Sequence, residues 1–169
     1  MKLRLANPGD IEVLKKWDAN QQVIAARGAD ETLDWDIEIP RSVDWREILI
    51  AEIDGRPIGV IIIIDPEREE THYWGDVEPN LRAIDIWIGE ESDLNRGYGT
   101  QIMRLALKNC FSNPRIKGIL VDPLVSNTGA IRFYERLGFK RVGRHRFGSD
   151  ACYIYRLDRR AWHSVTALP

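Results

Sequence analysis

Two runs rich in β-branched residues, Ile48 to Ile53 and Ile58 to Ile64, flank Asp54-Gly55-Arg56-Pro57, and no other feature constrains the chain as much. Isoleucine and valine suit a pleated, buried surface, and Asp-Gly is a strong hairpin signal, so the stretch predicts strand, tight turn and strand. An isolated hairpin is marginal in water and needs more strands or a helix against its apolar face. Leu81 to Ile88 predicts a further strand. From Tyr98 to Phe111 the apolar Ile102, Met103, Leu105, Ala106, Leu107 and Cys110 recur at spacings of three and four, predicting a helix that Asn113 and Pro114 terminate. Gly118 to Val121 reads as a short buried strand. Asn127 to Leu137 reads as a second helix with Ile131, Tyr134 and Leu137 on one face and Gly138 as its stop.

The two ends complete the order. Met1 to Ala6 alternates like an edge strand, and Asn7, Pro8 and Asp10 supply a cap, a first-turn proline and a first-turn acid for a helix whose apolar stripe is Ile11, Leu14 and Trp17. Phe139 to Phe147 and Ala151 to Leu157 predict a closing hairpin across Gly148, Ser149 and Asp150. Gln21 to Ser42, with Gly28, Pro40, Trp35 and Ile37, reads as irregular or short helical structure able to act as a substrate lid. The expected order is therefore strand, helix, hairpin, strand, helix, strand, helix, hairpin, without repeat or linker: one mixed α/β (α+β) domain over residues 1–169. A domain of this length buries roughly 70% of its unfolded surface, enough for a core without staples.

Several classes of function are disfavoured. The longest apolar run, Val60 to Ile64, is far short of the roughly 20 residues that span a bilayer, and Met1 to Pro8 has no secretory h-region, so a soluble, cytoplasmic protein is expected. His72, His145 and His163 share no ligand spacing with one another or with Cys110 and Cys152, so no metal is expected; the two cysteines read as core thiols. A net charge of -2 argues against general affinity for nucleic acid. The charge is nonetheless uneven. From Asp65 to Asp93 ten acids face only Arg68 and Arg82, which suits a cationic partner, whereas from Leu94 to Gly148 eleven bases face only Asp122 and Glu135, which suits a phosphate-bearing one. Solvated faces explain the same runs equally well.

Between the strand ending at Ile88 and the helix starting near Gly97 lies Leu94-Asn95-Arg96-Gly97-Tyr98-Gly99-Thr100. Glycines there let backbone approach a ligand closely, the first helical N–H groups lack partners, and the helix dipole favours an anion. A dinucleotide fingerprint needs a third glycine where Ile102 stands, and a Walker loop needs a Lys-Ser or Lys-Thr pair that is missing, so neither pattern is met. A glycine-assisted turn that merely starts a helix remains the alternative.

A second ordered pattern follows: Val121-Asp122-Pro123, then Ser126-Asn127-Thr128-Gly129-Ala130-Ile131, then Phe133-Tyr134-Glu135-Arg136-Leu137-Gly138-Phe139. Taken with Gly97 and Gly99, it resembles the GNAT superfamily of N-acetyltransferases, matching its later motif at Asn127, Ala130, Tyr134, Glu135, Gly138 and Phe139. Leu94 departs from the Arg or Gln of the family's pyrophosphate loop, leaving Asn95 and Arg96 to assist. From Leu3 to about Trp162 the chain is most similar to the aminoglycoside 6'-N-acetyltransferases, through Leu3-Arg4-Leu5 with Asp10, Leu14 and Trp17, Gly55-Arg56-Pro57-Ile58-Gly59, Arg82-Ala83-Ile84-Asp85, and Asp122-Pro123.

The resemblance implies a single-domain GNAT fold, a central mixed twisted sheet of about seven strands flanked by helices, with acetyl-CoA as co-substrate. It implies that Asn95, Arg96, Gly97, Tyr98, Gly99 and Thr100 bind pyrophosphate, that backbone of Ile86, Trp87 and Ile88 pairs with the pantetheine arm, and that Asn127 meets the cofactor from the other side. An amine of pKa near 10 is about a thousandfold ammonium at pH 7, so carboxylates that attract the cation and receive its proton are useful. By resemblance Asp85 binds or deprotonates the acceptor amine, directly or through water, Asp122 holds a neighbouring ammonium, and Tyr134 protonates the departing thiolate. The ordinary alternatives are an Asp85 ion pair with Arg82, an Asp122–Pro123 turn and a core tyrosine. Tyr73, Trp74, Asp76 and Glu78 would form an aromatic and acidic wall for the acceptor, or else an exposed hairpin extension.

The expected function is acetylation of a small cationic amine, the 6'-amine of an aminoglycoside, as in antibiotic resistance. The alternatives are another amine, such as a hydroxylysine-type siderophore precursor, a polyamine or a protein N-terminus, and a non-catalytic acyl-CoA sensor. The chain would work as monomer or homodimer, with an accessible Trp35, Trp45 or Trp162 marking a dimer face.

Overall fold

The computed structural model describes residues 1–28 and 33–166. Residues 29–32 of the expected lid, and the His163 side chain, lie outside the described residues. Seven strands form one sheet: β1 (Lys2–Leu5), β2 (Arg46–Ile53), β3 (Arg56–Ile64), β4 (Leu81–Ile88), β5 (Gly118–Val121), β6 (Lys140–Phe147) and β7 (Asp150–Asp158). Their spatial order is β1-β2-β3-β4-β5-β7-β6. Every neighbouring pair is antiparallel except β4 and β5, which makes the sheet mixed, as expected.

The hairpin is tighter than the expected four-residue turn. Asp54 and Gly55 both have left-handed φ, 51° and 80°, the geometry of a two-residue turn whose twist matches that of its strands, so Arg56 and Pro57 belong to β3. Pro57 sits beside a register shift at Ala51/Glu52, outside the β4 ladder that begins at Gly59, so its missing N–H removes no rung to β4.

Both faces of the sheet are covered. On one, α4 (Tyr98–Ser112) and α5 (Thr128–Arg136) pack against β3, β4, β5 and β7. Ile102, Met103, Ala106 and Leu107 of α4 are fully buried against Ile61, Ile84 and Ile119, as the three-and-four spacing predicts. On the other, Leu14 and Trp17 of α1 (Ile11–Asp18) and Trp35 of α3 (Trp35–Glu38) bury Ile48, Ile50, Val60 and Ile62. The segment expected as a lid carries α2 (Gln21–Arg27) and α3 among its described residues.

A C-terminal helix, α6 (Arg159–Thr166), was not anticipated. It is held from a distance. Arg159 donates to the carbonyls of Phe111 (2.9 Å), Ile116 (2.7 Å) and Asn113, satisfying carbonyls at and just beyond the α4 C-terminus, and Trp162 stacks on Phe111 at 6.0 Å. Trp35 is 1% exposed and donates its Nε1 hydrogen to Asp18 at 2.6 Å, while Trp45 and Trp162 are half-buried. Both cysteines are buried, and burial pushes the Cys110 thiol up to about 12, so it remains a neutral core group. No helix among the described residues is long and apolar enough to cross a membrane.

Candidate active site

The sheet opens where its parallel pair, β4 and β5, ends. β4 and β5 are paired over three residues, Leu81 to Ala83 against Gly118 to Leu120. Beyond that, β4 runs on to Ile88 alongside β3 alone, while β5 turns away at Asp122 and Pro123. The backbone edge of Asp85, Ile86, Trp87 and Ile88 thus forms one wall of a wedge, and the end of β5 with α5 forms the other. An open α/β sheet binds its ligands at such a place. The resulting cleft has a volume of about 1090 Å³, beyond the roughly 300–1,000 Å³ of a pocket for one small ligand.

At one end stands the N-terminus of α4. Asn95 and Gly97 take left-handed φ, 59° and 78°, turning the chain from Leu94 into the helix. Asn127 caps α5 by accepting from the Ala130 N–H at 3.0 Å, but no side chain caps α4. Gly99 is not required by its surroundings, since an added Cβ would lie in ordinary contact, 3.7 Å from the Phe133 ring. The amides of Tyr98, Gly99 and Thr100 therefore present donors and a positive dipole end to the cleft, with a glycine where a ligand must come close. Leu94, Asn95, Gly97 and Asn127 line the same end. Arg96 is exposed and does not line the cleft. Instead the entry to the loop is fixed by Arg56, which grips the buried carboxylate of Asp93 at 2.6 and 3.0 Å and holds it below the usual carboxylate range.

At the other end the titratable groups converge. Asp85 lies opposite Ile62 in the β3–β4 ladder, Asp122 follows β5, and Tyr134 projects from the inner face of α5; all three line the cleft. Burial raises the Tyr134 phenol, and the negative fields of Asp85 and Asp122 raise it further, so it stays protonated well above its ordinary range. Arg82, the alternative partner for Asp85, is paired with Asp65 at 2.8 Å. Asp122 accepts from the Tyr73 hydroxyl at 2.7 Å, more than a turn with Pro123 requires.

The expected acceptor wall is only half present. Tyr73 and Trp74 line the cleft with their rings 5.5 Å apart, edge to face. Glu78 does not: it pairs with Arg156 and Lys117 in a separate hollow beyond Trp74, and Asp76 is exposed outside both. Much of the acidic run is likewise paired, Asp65 with Arg82, Glu70 with Arg41 and Glu90 with Lys16. Of its ten acids only Glu69, Asp85 and Asp93 line the cleft. Glu69, the Arg56–Asp93 clamp, and Gln22 and Arg27 of α2 were not singled out in advance. No local pattern marks them, because Arg56 and Asp93 are 37 residues apart. No cluster of three potential metal ligands occurs among the described residues.

A wedge with an uncapped helix end on one side and carboxylates on the other suits two unlike ligands, as in a transferase that draws its group from a phosphate-bearing carrier. The chain belongs to the acetyltransferase (GNAT) family, whose domain matches residues 7–147. It is 30% identical to the aminoglycoside N(6')-acetyltransferase type 1 of Klebsiella pneumoniae over 149 residues, covering 83% of this chain and 74% of that one. It is 26% identical to the lysine N-acyltransferase MbtK of Mycobacterium tuberculosis over 92% of this chain and 76% of that one. The crystal structure of the aminoglycoside acetyltransferase AAC(6')-Ib with coenzyme A and kanamycin superposes with a TM-score of 0.87 at 26% identity, over 98% of this chain and 99% of that one.

Proposed function

We propose that this enzyme transfers the acetyl group of acetyl-CoA to the 6'-amine of an aminoglycoside. The observation that carries the reading is the wedge itself: one mouth is a helix end suited to pyrophosphate, and the other is lined by Asp85, Asp122 and Glu69, suited to a polycation. Identity to an aminoglycoside N(6')-acetyltransferase across most of the chain supports the choice of amine.

Bound acetyl-CoA supplies a thioester carbonyl and a thiolate leaving group. Amides of Tyr98, Gly99 and Thr100 hold its phosphates, and the β4 edge at Ile86, Trp87 and Ile88 offers backbone pairing to its arm and a preorganised donor for the carbonyl oxygen. Asn127 has its Oδ1 committed to capping α5, so it meets the cofactor through its NH₂. Asp122 and the face of Trp74 hold the acceptor. Asp85 takes the ammonium proton, directly or through water, and releases it to solvent; the neutral nitrogen bonds to the acyl carbon and loses its second proton by the same route as the C–S bond breaks, while Tyr134 donates a hydrogen bond to the sulfur, which receives the electron pair, leaves as thiolate and is protonated from solvent. The enzyme works in the cytoplasm, and resistance to the antibiotic follows from loss of the amine's charge.

The test is thiol release from acetyl-CoA across a panel of aminoglycosides, polyamines, lysine derivatives and peptides. Turnover on acceptors with a free 6'-amine, absent in Asp85→Asn, is the expected result. The lysine N-acyltransferase relatives, matched over more of the chain at lower identity, favour a second reading, acylation of a lysine-type side chain. Turnover confined to lysine derivatives would select it, and tight acyl-CoA binding without turnover on any amine would point to a sensor.

A further inference from the structure

Glu69 is a buried carboxylate, 7% exposed, whose hydrogen-bond partners are all uncharged: the Thr71 N–H at 2.7 Å, the Thr71 hydroxyl at 2.9 Å and the Tyr73 N–H at 3.0 Å. Burial pushes such a group toward neutrality, yet these donors hold it below the usual carboxylate range. With the backbone bond from the His72 N–H to the Glu69 carbonyl at 3.3 Å, these three bonds close residues 69–73 into a turn in which His72 takes a left-handed φ of 52°, a conformation uncommon outside glycine. The turn leads to one place. It fixes the backbone of Tyr73, whose ring is braced edge-on by Trp74 and whose hydroxyl donates to Asp122 at 2.7 Å. Trp74 in turn packs on Leu81, Ala83 and Leu120, the part of the sheet where β4 and β5 are still paired.

We propose that Glu69 is a positioning residue for acceptor binding: by clamping the 69–73 turn it aims the Tyr73 hydroxyl at Asp122, and so sets the direction of the carboxylate that receives the acceptor's ammonium. The proposal rests on the acetyl-transfer reading for the role of Asp122, but the chain of contacts from Glu69 to Asp122 exists in the free protein. Loss of a hydrogen bond to a charged group changes an equilibrium by roughly tenfold or more, which sets the scale of the effect.

The experiment combines steady-state kinetics with NMR of the protein labelled at tyrosine Cζ. Glu69→Gln replaces one accepting oxygen by an NH₂ that faces the same donors. Expected are a rise of about tenfold in acceptor KM with acetyl-CoA KM unchanged, the same in Tyr73→Phe, and no further rise in the double variant, because the two act in series. The Tyr73 Cζ resonance of ligand-free Glu69→Gln should move in the direction it moves in Asp122→Asn. Thr71→Val, which removes one donor, carries the same test with a smaller effect should Glu69→Gln not fold. An unmoved Tyr73 resonance, an equal rise in both KM values, or additive effects in the double variant would overturn the proposal. Absence of turnover on every amine by the wild type would refute the acetyl-transfer reading instead, and the NMR arm alone would then decide whether Glu69 positions Tyr73.

Discussion

Replacing Tyr134 by phenylalanine removes a hydroxyl and little else. The ring is 7% exposed and packs on Phe133 at 5.2 Å and Phe139 at 5.6 Å, contacts that phenylalanine keeps. Burial, with Asp85 and Asp122 nearby, lifts the phenol above its ordinary value of 10. An alkyl thiol titrates near 8.5, so full proton transfer from this phenol to a thiolate is uphill by at least about 2 kcal/mol. On the proposed mechanism Tyr134 would therefore act as a donor whose hydrogen bond strengthens as charge develops on sulfur. Such a bond contributes about 1.5–3 kcal/mol, and kcat of Tyr134→Phe should fall about 10- to 150-fold with both KM values little changed. Thiol release followed with a chromogenic trap under saturating substrates measures this directly. A loss below about threefold would mean that Tyr134 is only a core residue, and one above about 1,000-fold would mean obligatory proton transfer. The pH profile gives a second check. A phenol raised above 10 cannot cause a decline in kcat between pH 8 and 9, so a decline there that Tyr134→Phe abolishes would refute the argument.

Asp85→Asn should lower kcat/KM for the acceptor by about 100- to 10,000-fold, and the remaining rate should climb with pH toward the amine's own pKa as solvent takes over deprotonation; a pH-independent residual rate would assign the base elsewhere. At Gly89 an added Cβ would come within 2.0–2.2 Å of the Trp17 ring, beside the carbonyl that Asn20 and Gln22 share, so Gly89→Ala should cost about 1–3 kcal/mol or more and lower Tm measurably; an unchanged Tm would contradict the packing. Asp93 has its pKa depressed, chiefly by Arg56, so its contribution to stability is present above the ordinary value of 3.8 and is lost as pH falls through the lower folded value. Asp93→Asn should cost about 1–3 kcal/mol at pH 7 and flatten the loss of denaturant stability below about pH 5; identical pH curves for variant and wild type would remove the clamp from the account.

The strands and long helices could be read in advance because the signals for them are local. Leu81–Ile88 and Gly118–Val121 carry the same bounds in sequence and structure, and Asn127 and Gly138 cap and stop α5 as their chemistry predicts. The helix-end glycines likewise marked the helix N-terminus that lines the cleft. What was missed shares one property. Arg159 finds its partners more than 40 residues away, Arg56 finds Asp93 37 away, and Tyr73 finds Asp122 49 away. Glu78 reads as a wall residue from its neighbours Tyr73 and Trp74, yet the fold turns it to Arg156, 78 positions on.

The sequence by itself therefore determined the alternation of elements and the glycine-led helix end, since periodicity, capping and turn chemistry are properties of adjacent residues, whereas the two carboxylates and the tyrosine were marked by resemblance to a known family. Tertiary structure alone decided which acids face the cleft, that Tyr73 reaches Asp122, and that β4 parts from β5 after Ala83 to open the wedge. These depend on burial and on pairing across long loops, which the residues on either side of a position do not encode.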